Sequence, residues 1–385
     1  MSKTKTALVL GGGVGGLVTA HELRKRLPEP HRVVVVDREA DHVFQPALLR
    51  IMTGDRRPEA VRRPLERLRR RGIEVIRGEV EAIDPDGRTV TVSGVQHAGD
   101  AIVVSLGAEL APEKVPGLAE AGHDFYAPSG AVTLRDAFTR FRTGRLVVLT
   151  AAPGYKCPAA PYEAAMLLEH ACRRRGIRSA VEVELHAAEP GPMGVAGPEV
   201  SRAVREMVER KGIAYRPGRQ IVSANAAART LRFDDGAEVA FELLAFVPPH
   251  RAPSVVREAG LVGESGWVEV DAKTLATRFD GVYAIGDVTS IALKLGKPLP
   301  KAGVFAHAQA QVVARNLVHA WTGKAAPTTF DGHGGCFIET GDGKAGFGSG
   351  DFYAEPMPRV KLYAPARWWH WGKVLYEKRW LRKWL

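Results

Sequence analysis

Short, almost entirely apolar segments recur along the chain, and each is followed by a turn and then by a helical pattern. Thr6–Leu10 and Val33–Val36 lack the polar alternation of a strand with one face in water. Between them, Leu17–Arg26 has apolar residues at helical spacing. Continuous apolar strands are typical of a parallel sheet that is covered on both faces. The first 45 residues therefore predict a βαβ unit.

A second region of this kind begins with a strand at Arg145–Thr150 and a helix over Tyr162–Arg175. The other predicted elements are Glu74–Ile76, the hairpin Glu79–Val92, Ala101–Ser105, Val181–His186, a helix over Glu199–Lys211, Arg229–Phe233, Leu243–Val247, Trp267–Val270, Val282–Ile285, a helix over Ala306–Trp321, Cys336–Thr340 and Ala345–Phe352. Alternating strands and helices predict an α/β fold with tandem Rossmann-like sheets. To this the chain adds a C-terminal β segment and an amphipathic helical tail.

A glycine motif follows the first strand. Gly11, Gly13 and Gly16 form G-x-G-x-x-G, and Asp37 ends the next strand, 21 residues beyond Gly16. Such glycines allow a tight turn and the close approach of a pyrophosphate to a helix N-terminus, while the acid binds a ribose. This combination predicts dinucleotide binding; an ordinary tight turn is the alternative.

The segment Thr277–Asp287 resembles the second FAD fingerprint of flavoproteins with two dinucleotide-binding domains. The resemblance implies that Gly286 and Asp287 bind FAD at its ribityl chain and pyrophosphate. It also implies an FAD-binding domain formed by residues 1–110 and 270–330. A second Rossmann-like domain would then span residues 111–269, and a C-terminal region residues 331–385.

The loop after Arg145–Thr150 is the place to look for the partner of the flavin. In NADH-dependent flavoproteins this strand leads into another G-x-G-x-x-G. Here it leads into a loop with three prolines and Cys157, which would obstruct a pyrophosphate. A helix start and the adjacent Lys156 both favour a thiolate, so we expect a lowered pKa and a nucleophile at Cys157. A buried cysteine that acts as a small hydrophobic residue is the alternative.

Four segments together resemble sulfide:quinone oxidoreductases and the flavoprotein subunit of flavocytochrome c sulfide dehydrogenases. They are the cysteine loop Lys156–Glu163, the helix start Pro300–Ala306, the second cysteine loop Gly334–Glu339 and the closing signature His370–Lys378. The similarity spans nearly the whole chain, and the paired cysteine loops are its most specific part.

The resemblance implies that Cys157 and Cys336 form a redox pair at one face of the flavin. Sulfide would open a disulfide or sulfur bridge, and a released thiolate would pass two electrons to FAD and then to a quinone. Glu163 matches an acid that handles protons, although a first-turn Glu is also favoured by the helix dipole alone. Lys301 would stabilise negative charge at the flavin edge, and a solvated lysine is its alternative.

The sequence departs from the family at three places. The third redox cysteine of many quinone-reducing members is absent from Asp124–Ser129, and a family histidine is missing after His186. These departures leave two alternatives open, a subgroup variant of the sulfide chemistry or a related small sulfur donor in place of sulfide. Phe44 and Gln45 lie where flavocytochrome c members have a flavin-linked cysteine, so non-covalent FAD is expected. Cys172 lies in the middle of a predicted helix and is expected in the core.

Composition excludes several classes of protein. The chain has 385 residues, 45% of them hydrophobic and 25% charged, which is a globular balance. Three cysteines are too few for a disulfide scaffold. No apolar run approaches the roughly 18 residues of a transmembrane helix, and no export signal is visible, so the cytoplasmic side is the default. The scattered histidines have no ligand spacing, and no metal site is predicted.

The net charge of +11 comes from two segments. Residues 56–72 contain eight Arg and two Glu, net +6, and Val61, Leu65 and Leu68 at helical spacing predict an amphipathic helix over Arg56–Arg71. Residues 366–385 contain six Lys or Arg and one Glu, net +5, together with five of the seven Trp. Trp mixed with cations is typical of a segment in a membrane interface.

These patterns predict a peripheral membrane enzyme that contacts the bilayer through its C-terminal tail. A tail packed on its own protein or on a partner subunit is the alternative, and self-association into a homo-oligomer stays open. No nucleic-acid module is present, so no nucleic-acid partner is expected. The alternative functions are a type II NADH:quinone dehydrogenase, the sulfide dehydrogenase subunit, and a non-enzymatic membrane-docking or sensory flavoprotein.

Overall fold

The computed structural model describes residues 4–385. Its α-helices are Val14–Arg26 (α1), Leu48–Met52 (α2), Leu118–Ala121 (α3), Pro128–Arg140 (α4), Ala160–Arg174 (α5), Pro198–Glu209 (α6), Ser254–Glu258 (α7), Gly303–Thr322 (α8) and Arg367–Lys383 (α9). Its strands are Thr6–Leu10 (β1), Arg32–Asp37 (β2), Asp41–Val43 (β3), Arg62–Pro64 (β4), Glu74–Arg77 (β5), Val80–Asp84 (β6), Thr89–Val92 (β7), Val95–Ala98 (β8), Ala101–Val104 (β9), Glu109–Leu110 (β10), His123–Asp124 (β11), Gly144–Thr150 (β12), Val181–Ala187 (β13), Ala214–Pro217 (β14), Ile221–Asn225 (β15), Thr230–Phe233 (β16), Glu238–Ala240 (β17), Leu243–Val247 (β18), His250–Arg251 (β19), Val268–Glu269 (β20), Val282–Ala284 (β21), Thr289–Ser290 (β22), His333–Gly341 (β23), Lys344–Asp351 (β24) and Arg359–Ala366 (β25).

The first parallel sheet has the strand order β21-β9-β1-β2-β5. Both of its faces are covered, because alternate residues of β1 enter different apolar clusters. Ala7 and Val9 pack with Leu17 of α1, whereas Leu8 and Leu10 belong to the cluster on the other face. This explains why the strand is apolar without alternation. The edge strand β21 comes from the far end of the sequence and pairs with β9.

The second parallel sheet has the order β11-β18-β12-β13-β14. The helices α5 and α6 contact its strands. Helices link β1 to β2 in the first sheet, and they link β11, β12, β13 and β14 in the second. The predicted α/β class with Rossmann-like sheets is therefore confirmed.

The C-terminal region begins with an antiparallel sheet of three strands, β23-β24-β25. The strand β23 packs against α5 of the second parallel sheet, and α9 packs across β24. The predicted strands over Cys336–Thr340 and Ala345–Phe352 lie within this sheet. Its position brings residues from the end of the chain to the start of α5.

The predicted helix over Arg56–Arg71 is wrong. Residues Pro58–Val61 and Leu65–Arg71 form separate 3₁₀ turns, and Arg62–Pro64 is a strand paired with β3. Pro64 has no N–H for a helical hydrogen bond, and the residue before a proline favours an extended backbone. The apolar positions Val61, Leu65 and Leu68 are nevertheless buried.

The helix α9 is exposed at its start and buried at its end. Trp368 and Trp371 are 67% and 69% exposed, whereas Trp380 and Trp384 are each 3% exposed. The end of α9 also contacts the first basic segment, because Arg71 donates a hydrogen bond to the carbonyl of Lys383 over 2.8 Å. Within residues 4–385, no helix is both long enough and apolar enough to cross a membrane.

Candidate functional site

The glycine loop between β1 and α1 has the geometry that its sequence predicts. Gly11 has φ +100°, and a Cβ there would lie 2.5 Å from the carbonyl oxygen of Ser105. A Cβ on Gly16 would lie 1.8 Å from the carbonyl oxygen of Gly11, so the helix can approach the turn only with glycine there. Around Gly13, in contrast, a Cβ would meet nothing within 4 Å, which leaves space beside the N-terminus of α1.

Asp37 lies at the end of β2 and faces this loop. Its Oδ2 accepts a hydrogen bond from the amide of Gly12 over 2.5 Å, and its Oδ1 accepts one from the amide of Glu39 over 2.8 Å. The carboxylate is thereby fixed beside the glycine turn. This is the position of a ribose-binding acid in a dinucleotide fold.

The second fingerprint enters the same region from β21. The amide of Gly286 donates to the side chain of Gln309 in α8 over 2.7 Å. Asp287 follows, and its Oδ1 is buried without a hydrogen-bond partner among residues 4–385. Burial raises the pKa of this carboxyl group above its ordinary value. An unpartnered buried carboxylate and the open space at Gly13 both fit a dinucleotide, whose hydroxyl groups and pyrophosphate supply the missing contacts.

Lys301 lies next to Asp287. Its amine donates to the carbonyl oxygens of Asp287 and Thr289 over 2.9 and 2.8 Å. The same amine lies 3.4 Å from the ring centroid of Trp267, a contact that no sequence motif indicated. Burial lowers the pKa of Lys301 to about 8. Lys301 therefore holds the fingerprint segment in place and carries a weakly held proton.

The cysteine loop is attached to Lys301 through the backbone. The amide of Cys157 donates to the carbonyl of Lys301 over 2.7 Å, and the carbonyl of Cys157 accepts a 3.0 Å bond from the hydroxyl of Tyr126. Cys157 has φ +51°, a left-handed conformation that a non-glycine residue adopts only when its surroundings hold it. The amine of the neighbouring Lys156 donates a hydrogen bond to the side-chain oxygen of Gln45 over 2.7 Å.

The expectation of a lowered pKa at Cys157 is wrong for the free thiol. All three cysteines are free in the structure, and Cys157 and Cys336 are partly buried. Burial raises the pKa of Cys157, and the nearby Cys336 and Glu163 raise it further. Burial and Glu163 raise the pKa of Cys336 to about 11. Burial of the thiols therefore outweighs the effect of the helix terminus.

A buried ion pair lies beside the two cysteines. The amine of Lys373 in α9 donates to Oε1 of Glu163 over 2.8 Å, and the side chains are 13% and 2% exposed. The amide of Glu339 donates to the same oxygen over 2.8 Å. Of the charged groups near Cys157, Lys373 is the one that lowers the pKa of the thiol.

A second charged group lies next to this pair. Arg50 donates to Oε1 of Glu339 over 2.7 Å, and the Nδ1 of His370 lies 3.1 Å from its Oε2. The pKa of Glu339 is lowered because the charges of Lys373 and Arg50 outweigh its burial. Sequence reasoning missed the pairing of Arg50 with Glu339, since 289 residues separate them. Arg50 belongs to no motif, and Glu339 was noted only as the end of the second cysteine loop.

Two further predictions from the sequence concern Cys172 and metal binding. Cys172 is fully buried in α5, as expected for a core residue. Within residues 4–385 there is no group of three or more His, Cys, Asp or Glu side chains that could hold a metal ion.

Comparisons with known proteins agree with this geometry. A family model of pyridine nucleotide-disulphide oxidoreductases matches residues 5–311. A sulfide-quinone reductase of Aquifex aeolicus is 29% identical, over 98% of this chain and 91% of that protein. A mitochondrial sulfide:quinone oxidoreductase of Mus musculus is 23% identical, over 91% of this chain and 79% of that protein.

The fold comparison gives the same relationship. The X-ray structure of the sulfide:quinone oxidoreductase from Aquifex aeolicus matches with a TM-score of 0.90 and 26% identity, over 99% of this chain and 91% of that one. The family model and these relatives imply that the chain binds FAD. The chain therefore belongs to the pyridine nucleotide-disulphide oxidoreductase family, as an FAD-dependent oxidoreductase of its sulfide:quinone oxidoreductase branch.

Proposed function

We propose that this protein oxidises sulfide, or a related small sulfur donor, at Cys157 and Cys336 and passes the electrons through FAD to a membrane quinone. One observation carries the proposal: a cysteine loop follows β12 at the place of a nicotinamide-binding turn. The bond from the Cys157 amide to Lys301 joins this loop to the segment that carries Asp287. The names of the relatives, sulfide-quinone reductase above all, support the same reaction.

The cofactor would be held by residues at the carboxyl ends of three strands of the first sheet, β1, β2 and β21. The turn with Gly11, Gly13 and Gly16 and the N-terminus of α1 suit the pyrophosphate, Asp37 suits a ribose, and Asp287 suits the ribityl chain. The amide of Gly286 belongs to the same segment. Bound FAD would accept an electron pair from sulfur chemistry and deliver it to a quinone. No cysteine lies at Phe44 or Gln45, which favours non-covalent binding.

The cysteines would act as a bridged pair. Hydrosulfide attacks one sulfur of a Cys157–Cys336 disulfide, the S–S bond breaks, and the attacked cysteine becomes a persulfide while the other leaves as a thiolate. Loss of two electrons and one proton from this pair closes a new bridge through the added sulfur. Bound FAD would supply the acceptor for this electron pair, and a quinone would finally take up the pair together with two protons.

The raised pKa of both free thiols makes this order of events reasonable. A buried cysteine is a poor nucleophile as a thiol, whereas the attacking hydrosulfide is already an anion. The leaving thiolate would be stabilised by Lys373, the cation that lowers the pKa of Cys157. Glu163 would accept the proton that the persulfide loses, since its carboxylate is fixed by Lys373 and by the amide of Glu339.

We also propose that the start of α9 docks on a membrane surface, where a lipid-soluble quinone is available. Trp368, Trp371 and Leu375 are 67%, 69% and 66% exposed, which is unusual for large apolar side chains. Lysine and arginine residues follow them along the helix, and cations are attracted to anionic lipid.

The decisive experiment is an anaerobic titration of the purified flavoprotein with sulfide. We expect the oxidised flavin absorbance to bleach and to return when a short quinone analogue is added. Cys157→Ser and Cys336→Ser should each slow bleaching strongly, whereas the matched control Cys172→Ser should not. Bleaching of Cys157→Ser at the wild-type rate would contradict the mechanism. Rapid bleaching by NADH with no response to sulfide would instead identify an NADH:quinone dehydrogenase.

A further inference from the structure

A carboxylate without an assigned role lies at the carboxyl end of the second parallel sheet. Glu189 is two residues beyond β13, and Thr150 is the last residue of the neighbouring β12. In a dinucleotide-binding Rossmann fold, the phosphate-binding turn follows the first of two such strands, and an acid after the second binds a ribose hydroxyl. Glu189 therefore occupies the position of a ribose-binding acid.

Three hydroxyl groups of the chain itself already bond this carboxylate. Tyr162 donates to Oε1 of Glu189 over 2.7 Å, Thr150 donates to Oε2 over 2.8 Å, and Tyr155 also donates to Oε1. Burial raises the pKa of both tyrosines, so their hydroxyl groups stay protonated and can donate. Both oxygens of Glu189 thus have the kind of partner that a ribose diol would otherwise supply.

Two of these donors lie on either side of Cys157. Tyr155 precedes it by two residues, and Tyr162 follows it by five, in the first turn of α5. Cys157 has a left-handed backbone conformation, which persists only where surrounding contacts hold it. The bonds to Glu189 hold the loop from the second sheet, while the bond to the carbonyl of Lys301 holds it from the first.

We propose that Glu189 is the positioning residue of the Cys157 loop, and that the same bonds close this crevice to nicotinamide dinucleotides. A ligand ribose could reach the carboxylate only by displacing hydroxyl groups that are part of the cysteine loop. The conformation of the Cys157 loop and the exclusion of NAD(P)H therefore both depend on the side chain of Glu189. The importance of Cys157 rests on the proposed function, but the exposure of its thiol can be measured without any turnover.

The test measures alkylation of each cysteine by iodoacetamide in the intact flavoprotein, after its cysteines have been reduced to free thiols under anaerobic conditions, and resolves the products by peptide mass spectrometry. In Glu189→Ala we expect Cys157 to react about tenfold faster than in the wild type, because the loop loses its anchor and opens locally. Cys172 in α5 should keep its slow rate, which distinguishes local opening from general unfolding. Glu189→Gln keeps a carbonyl oxygen for the two tyrosines and should restore most of the protection.

Two further variants keep the test decisive if Glu189→Ala does not fold. Tyr155→Phe removes one bond to Glu189 and should give a smaller increase at Cys157. Tyr215→Phe is the matched control, since its hydroxyl lies 3.5 Å from that of Tyr162 and does not contact Glu189. Equal alkylation rates in the wild type, Glu189→Ala and Tyr155→Phe would overturn the positioning role.

Binding of NADH tests separately whether the crevice is closed to nicotinamide dinucleotides. NADH should neither bind to the wild-type flavoprotein, by saturation-transfer NMR, nor bleach its flavin. Saturable NADH binding would overturn this part of the proposal. Failure of the flavin to react with sulfide would count against the proposed function only, because neither the alkylation pattern nor NADH binding depends on sulfide.

Discussion

Lys373 and Glu163 form a buried 2.8 Å ion pair although 210 residues separate them in the sequence. Glu163 lies in the first turn of α5, and Lys373 lies in α9. The last helix of the chain therefore completes the surroundings of the two cysteines. Without this helix, the buried carboxylate of Glu163 would lack the cation that bonds it.

Removal of the cation should affect both stability and chemistry. Lys373→Met leaves Glu163 buried without its partner, which should cost about 3–5 kcal/mol of unfolding free energy. It should also slow flavin bleaching by sulfide, since no cation then stabilises the leaving thiolate. Thermal unfolding and anaerobic stopped-flow absorbance measure the two effects.

The exposed Lys378 in the same helix supplies the control. Lys378→Met should leave stability and bleaching close to the wild type. The double variant Lys373→Met/Glu163→Gln should be more stable than Lys373→Met alone, because it removes the uncompensated charge. A double variant as unstable as the sum of its single changes would show that the two residues are not coupled.

Binding of FAD should depend on a bond from the tail to the glycine loop. The indole N–H of Trp380 donates to Nε2 of His42 over 3.1 Å, so the proton of the neutral imidazole is on Nδ1, which donates to the carbonyl of Gly12 over 3.0 Å. Burial lowers the pKa of His42, which keeps the ring neutral. Trp380→Phe leaves Nε2 without a donor and should weaken FAD binding about tenfold.

Fluorescence of released flavin measures this affinity during dilution or titration of the apoprotein. Trp371→Phe is the matched control, because Trp371 is 69% exposed and lies in the same helix. An unchanged FAD affinity in Trp380→Phe would show that the glycine loop does not depend on the tail.

Asp124 should make the protein less stable as the pH rises. Burial raises the pKa of this carboxyl group to about 6, above its ordinary value of 3.8. The folded protein then binds more protons than the unfolded chain between these values, so stability falls as the pH rises from 3.8 through about 6. Asp124→Asn keeps the side-chain oxygen that accepts from the amide of Tyr126 and removes the charge.

Thermal unfolding from pH 4 to pH 7.5 tests this sign. We expect Asp124→Asn to unfold at least about 2 °C higher than the wild type near neutral pH, and the gap to shrink toward pH 4. The exposed Asp86 gives the control variant Asp86→Asn, which should show no such trend. A gap that grew on acidification would contradict the raised pKa.

Membrane binding should depend on the exposed start of α9. Trp368→Ser/Trp371→Ser removes two large apolar side chains from the proposed docking surface. Partition into vesicles that contain anionic lipid should fall at least about tenfold, as measured by co-sedimentation. Val95→Ser/Val222→Ser changes two exposed apolar residues in β8 and β15 and should leave partition unchanged. Equal partition of both double variants would contradict docking through α9.

The sequence alone determined the elements that depend on local pattern. Uninterrupted apolar runs predicted the parallel strands, because both faces of each sheet are covered. The first glycine motif predicted the tight turn between β1 and α1, since Gly11 and Gly16 satisfy requirements of the backbone within a few residues. The helix predicted over Arg56–Arg71 was wrong, because two prolines interrupt it and pairing with β3 favours a strand.

Only the tertiary structure decided the electrostatics of the site. The pKa of Cys157 depends on its burial and on the nearby Cys336 and Glu163, and the cation beside it is Lys373 in α9. The bonds to Glu189 and the contact of Lys301 with Trp267 likewise join segments far apart in the chain. A sequence motif reflects the backbone conformation that a short segment must adopt. Burial and charge at a site depend instead on distant segments, whose contacts no local spacing encodes.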